Sequence, residues 1–163
     1  MQDPLSKVLA LPKSSRKVNM LMVHCSATKA DQNVDVATIR KWHTDPEPHG
    51  RGWKDIGYHF VITRDGFVHL GRDTDGDGDV FEEVGAHTVG YNAHSLGVCM
   101  VGGINDNGQP EANFTKAQWT SLERLCRIIK ADYPNITIHG HNEFAPKACP
   151  SFNVQTWLKT VNL

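Results

Sequence analysis

Between Thr115 and Asp132 the sequence predicts one long amphipathic helix. Leu122, Leu125, Cys126 and Ile129 recur at i, i+3, i+4 and i+7, which lines one face with apolar side chains. Thr115 and Gln118 have the spacing of a capping box, and Pro134 stops the helix. An apolar stripe of this kind must be buried against a second layer. Short apolar runs supply that layer: Val18 to Val23, Gly57 to Thr63, Phe67 to Leu70, Leu96 to Val101 and Ile136 to Ile138 read as strands. Arg64-Asp65-Gly66 is the expected hairpin turn between the second and third of them. Asn33 or Asp35 is expected to cap a helix running to about His43, and Asn153 to Val161 reads as a last short helix. Strands alternating with helices predict an α/β fold, a single domain with a mixed central β-sheet flanked by helices.

The 163 residues suit one domain. Residues 1–17 hold Pro4, Pro12, Ser14 and Ser15 with little periodicity, and read as an N-terminal extension. The compact domain is expected over residues 18–163. A net charge of −1 argues against a general nucleic-acid binder, which needs a basic face. No apolar run is long enough to span a membrane, so no membrane partner is expected, and the chain is expected to be a monomer. The start, Met1-Gln2-Asp3-Pro4, lacks the basic and apolar stretches of a secretory signal, which predicts a protein kept in the cytoplasm until something releases it. Four cysteines in such a chain predict reduced thiols or a metal site. Cys99 and Cys126 lie in apolar segments and read as core packing.

Three features carry chemistry. His24 ends a buried strand in His24-Cys25-Ser26-Ala27-Thr28, where a rigid scaffold meets a loop. Alone, such a histidine is more often a hydrogen-bonded structural residue. The second feature is His139-Gly140-His141 followed by Cys149, inside a loop stiffened by Pro146 and Pro150. Imidazole and thiolate are the ligands zinc takes readily. The spacing is not that of a zinc finger and no C-x-x-C pair exists. A closed structural site is therefore not expected; three ligands with a fourth position open is the catalytic arrangement. A loop without metal is the alternative reading. The third feature is Tyr58 in Gly57-Tyr58-His59-Phe60, which by itself reads as packing with a wet hydroxyl.

Together these stretches resemble the type-2 N-acetylmuramoyl-L-alanine amidases, which include phage lysozyme-type endolysins and the peptidoglycan-recognition proteins. The resemblance rests on Val23-His24-Cys25-Ser26-Ala27-Thr28, Gly57-Tyr58-His59-Phe60, Arg64-Asp65-Gly66, Gly85-Ala86-His87 with Gly90-Tyr91-Asn92, Ser95-Leu96-Gly97-Val98, and Ala145-Pro146-Lys147-Ala148-Cys149-Pro150-Ser151-Phe152. It covers roughly residues 18–160. It implies one Zn²⁺ per chain on His24, His141 and Cys149. Counting back from Cys149 favours His141 over His139. It implies Tyr58 and Lys147 as catalytic helpers, Tyr58 orienting the attacking water or taking its proton and Lys147 stabilising an oxyanion. His87 and Asn92 are implied in substrate binding; a turn-stabilising pair is the competing reading. The implied reaction is hydrolysis of the amide between N-acetylmuramic acid and L-alanine in peptidoglycan, by an endolysin that reaches the wall once a holin opens the inner membrane.

Rival readings remain at this point. Asp73-Thr74-Asp75-Gly76-Asp77-Gly78-Asp79 fits D-x-D-x-D-G, yet Val84 stands where a calcium loop needs glutamate, so a solvated acidic turn is expected. Some relatives bind peptidoglycan without cutting it, but those lack the cysteine ligand. Some phage relatives bind their phage's RNA polymerase, and Lys7, Lys13, Arg16 and Lys17 offer a basic arm for that contact. The zincin signature H-E-x-x-H is absent, although a zinc endopeptidase acting on the stem peptide remains open.

Overall fold

The computed structural model describes residues 16–163. The predicted extension therefore lies outside the described residues except for Arg16 and Lys17. Arg16 is docked on the domain, with its guanidinium donating to the carbonyls of Phe81, Ala93 and Ser95.

The described residues form a five-stranded mixed sheet and three α-helices. In chain order they are β1 (Met20–Cys25), α1 (Val36–Thr44), β2 (Phe60–Ile62), β3 (Val68–Leu70), β4 (Ser95–Met100), α2 (Lys116–Asp132), β5 (Thr137–Gly140) and α3 (Val154–Val161). The strand order is β3-β2-β4-β1-β5. Only the β2–β3 hairpin is antiparallel; β4 pairs in parallel with β1 and β2, and β1 with β5. The α/β fold with a mixed sheet is thus as expected.

Cap chemistry sets the helix ends. Asp35 accepts the Thr38 N–H at the start of α1, and Asn153 accepts the Thr156 N–H at the start of α3. Thr115 and Gln118 form the predicted capping box of α2. Gln118 is fully buried, and its side chain also donates to the carbonyls of Ile62 and Val101. A buried amide is tolerated only because it is satisfied. Here it stitches α2 to the ends of β2 and β4.

Side chains alternate across a strand, so the sheet has two unlike faces. Leu21, Val23, Phe60, Ile62, Leu96, Val98, Met100 and Ile138 point one way, into the main core with Leu122, Leu125, Cys126 and Ile129 of α2 and Leu158 of α3. Val61 and Cys99 point the other way, into a smaller core with Ile39 of α1. As expected, Cys99 and Cys126 are buried apolar packing, and all four cysteines are free. Strand alternation puts His24 on this second face, level with Cys99 in the β1–β4 register. There α1 covers one side and a cleft is left beside it. No helix among the described residues is long and apolar enough to cross a membrane.

Candidate metal centre

His24 lies one residue before the end of β1, His141 directly follows β5, and Cys149 lies in the turn leading to α3. In open α/β sheets the carboxyl ends of parallel strands are where ligands collect. Because β1 and β5 are parallel neighbours, their ends bring His24 and His141 together with ring centroids 4.7 Å apart. The Cys149 thiol lies 3.8 Å from His24 Nδ1. One ligand atom from each of the three falls within 4.8 Å of the others. His139 takes a different course. Its Nδ1 meets Glu143 Oε1 at 3.0 Å and its Nε2 meets Thr137 Oγ1 at 2.9 Å, away from the cluster.

The donor set fits zinc. A tetrahedral zinc with ordinary bond lengths separates a nitrogen and a sulfur ligand by about 3.6 Å, close to the 3.8 Å observed. Burial, reinforced by His87, His141 and Lys147, holds the His24 imidazole well below its ordinary range, so it stays neutral with a lone pair to offer. Burial and Lys147 lower His141 as well. Cys149 must be a thiolate to bind. Its Cys25 neighbour and burial push the thiol up, but the Cys25 N–H donates to Sγ at 3.3 Å and a dication would deprotonate it.

The three residues form part of the lining of a cleft of about 380 Å³, within the range of small-molecule sites. Tyr58, His87, Asn92 and Lys147 also line it. The Tyr58 ring stands 5.1 Å from that of His24, and burial pushes its phenol well above the ordinary value. Lys147 is exposed at the mouth. His87 is doubly placed: it touches the cleft, and its Nδ1 lies 2.9 Å from His24 Nε2. Asn92 uses its side-chain oxygen to accept the N–H groups of His87 and Thr88, which holds that loop against the site.

His43, Arg51 and Trp53 are not among the site residues that the sequence pointed to. His43, Arg51 and Trp53 also line the cleft, with the Arg51 guanidinium 5.0 Å over the Trp53 ring, whereas His49 is exposed and is not among the lining residues. The legible signal was His43 at i+4 from Ile39: a polar residue on the buried face of an amphipathic helix. The Asp73–Asp79 loop gathers carboxylates closely enough to hold a cation, Asp73 and Asp75 with Glu83 in one group and Asp75 and Asp77 with Glu82 in another. Its carboxylates accept backbone N–H groups of Asp77, Gly78 and Asp79, and a 3₁₀ turn at Val80–Glu82 follows in place of a helix.

Two further histidines are buried in neutral form. His59 accepts the Gly97 N–H at Nδ1, which leaves its Nε2–H to donate to the Glu83 carbonyl. His43 accepts the Gly57 N–H. Burial pulls both down to about 4. Unfolded histidines bind protons below about 6.5, so stability is full above that value, declines with acid and reaches its full loss near pH 4. Metal-free protein is expected to lose about 2 kcal/mol for each of the two between about pH 7.5 and about pH 5. His24 and His87 act in the same direction. Urea unfolding at the two pH values checks this, and equal midpoints would contradict it.

A family model described as N-acetylmuramoyl-L-alanine amidase matches residues 14–152. The chain belongs to this amidase family. It is 47% identical over 148 residues to an endolysin of Enterobacteria phage K11, covering 91% of this chain and 90% of that protein. It is 48% identical over 145 residues to the endolysin of Escherichia phage T7, covering 89% and 88%. The amidase also shares its fold with the solved endolysin N-acetylmuramoyl-L-alanine amidase of Clostridium intestinale, at a TM-score of 0.71 and 28% identity, over 94% of this chain and 90% of that one.

Proposed function

We propose that this amidase is a phage endolysin that hydrolyses the bond between the lactyl carbonyl of N-acetylmuramic acid and the L-alanine nitrogen of bacterial peptidoglycan. The observation that carries the reading is the His24–His141–Cys149 cluster in the cleft, with its two buried imidazoles and one thiol. These residues would hold one zinc ion per chain. Zinc in such a site supplies Lewis-acid polarisation and a nucleophile at neutral pH, since it brings the pKa of water toward about 7.

The protein's own groups do the rest. Tyr58 keeps its phenolic proton in its buried setting, so its part is to orient the attacking water and the scissile group by hydrogen bonding. Lys147 sets a fixed positive charge at the mouth, toward the carbonyl oxygen as that oxygen gains negative charge. The water oxygen bonds to the lactyl carbonyl carbon as the carbon–nitrogen bond breaks; the carbonyl ends as a carboxylate, and the alanine nitrogen takes up both protons of the water and leaves as an ammonium group. Asn92, Arg51 and Trp53, which line the same cleft, would hold the muramyl and peptide parts in this reading. The single compact domain over residues 18–163 is the catalytic unit in this reading. The enzyme is made in the host cytoplasm and meets its substrate after a holin opens the membrane.

Digestion of purified peptidoglycan, with products read by mass spectrometry, tests the proposal. The expected result is release of intact stem peptides beginning at L-alanine, abolished by a zinc chelator and restored by zinc. Cleavage within the stem peptide would make the enzyme an endopeptidase, and binding without cleavage would make it a recognition protein.

A further inference from the structure

The His87 ring occupies a slot that two glycines keep open. A Cβ built on Gly97, in the middle of β4, would stand 2.7 Å from His87 Cδ2 and Cγ and 2.9 Å from its Nε2. A Cβ on Gly85 would stand 2.6 Å from His87 Cδ2. Carbon atoms cannot approach so closely, so any side chain at Gly97 would evict the ring. The ring is also tied at both nitrogens. Nδ1 meets His24 Nε2 at 2.9 Å, and Nε2 meets Ser95 Oγ at 3.3 Å. The buried Thr88 hydroxyl bridges the junction, 2.9 Å from His87 Nδ1 and 3.3 Å from His24 Nε2.

A neutral imidazole has one donor and one acceptor nitrogen. His24 turns Nδ1 toward Cys149 and Nε2 toward His87. For Nδ1 to offer a lone pair, the proton must sit on Nε2, and something must accept it there. His87 Nδ1, at 2.9 Å, is the nearer acceptor, and Thr88 Oγ1, at 3.3 Å, the farther; with Nδ1 accepting, the His87 proton sits on Nε2, toward Ser95 Oγ.

We propose that His87 is a positioning residue of the metal centre: seated on Gly97, it accepts the His24 Nε2–H and so selects the tautomer and ring angle with which His24 meets the metal. Partners of this kind set ligand orientation and basicity, and their loss typically weakens metal affinity about 10–100-fold. This gives Gly97 a function in the centre although its Cα belongs to a core strand. The inference rests on the reading of His24, His141 and Cys149 as zinc ligands.

The test is zinc affinity, measured by competition with a chromophoric chelator, together with the visible spectrum of the cobalt-substituted protein. His87→Ala and Gly97→Ala are each expected to weaken zinc binding about 10–100-fold and to shift the cobalt bands. His87→Asn places an amide oxygen where Nδ1 stood and should bind within a few-fold of wild type. His87→Gln places its amide where Nε2 stood and should behave like His87→Ala. Wild-type affinity and spectrum in His87→Ala would overturn the proposal. Should that variant not fold, equal affinities for the asparagine and glutamine variants would overturn it instead. Wild-type protein that binds zinc no better than His24→Ala would remove the zinc reading itself, and this inference with it.

Discussion

Cys149→Ser is expected to abolish peptidoglycan hydrolysis, by about a thousandfold or more, while the protein stays folded. The substitution keeps the shape of the side chain and an oxygen able to accept the Cys25 N–H, which now reaches Cys149 Sγ at 3.3 Å. Serine, however, is not deprotonated at neutral pH as a coordinating thiol is. His24 and His141 would be left as a two-imidazole site facing an open cleft, too few ligands for a catalytic zinc. A metal used for charge stabilisation and nucleophile supply contributes several kcal/mol, and about 4 kcal/mol corresponds to a thousandfold in rate. Zinc content by elemental analysis, melting temperature and turnover should be read on one preparation. A folded Cys149→Ser protein that still turns over would exclude Cys149 from the metal centre.

Lys147→Ala is expected to lower kcat about 100–1,000-fold with zinc still bound, the usual cost of removing one group that stabilises an oxyanion. Lys147 is exposed at the cleft mouth, so its truncation should change stability by no more than about 0.5 kcal/mol. The loss would therefore belong to the reaction and not to folding. Tyr58→Phe should lower kcat as well, because it deletes a neutral hydroxyl while keeping the ring that packs 5.1 Å from His24. If both variants keep near-normal kcat with stoichiometric zinc, the helpers are other residues. The Arg51–Trp53 pair would then be the next place to look.

Local chemistry made much of the fold legible. The α2 capping box, its apolar stripe, the α1 cap, for which Asn33 or Asp35 was expected and Asp35 serves, and the β2–β3 hairpin depend on residues a few positions apart. Strand ends were less accurate. The run beginning at Val18 pairs only from Met20 and continues through Cys25, because pairing starts and stops where β4 and β5 supply partners. The candidate ligands were visible because histidine and cysteine at a strand end and in a proline-framed loop carry metal chemistry whatever surrounds them.

The sequence by itself determined the secondary elements, the α/β class, the family resemblance and the residue types available to a metal. Only the tertiary structure decided which of those residues meet. The parallel pairing of β1 with β5 sets His141 beside His24 and leaves His139 with Glu143 and Thr137. The parallel pairing of β1 with β4 brings Gly97 to the same face as His24, where the His87 ring fits between them. Both outcomes depend on register between strands far apart in the chain. A one-residue slip would turn each of these side chains to the opposite face, and no local pattern carries that information.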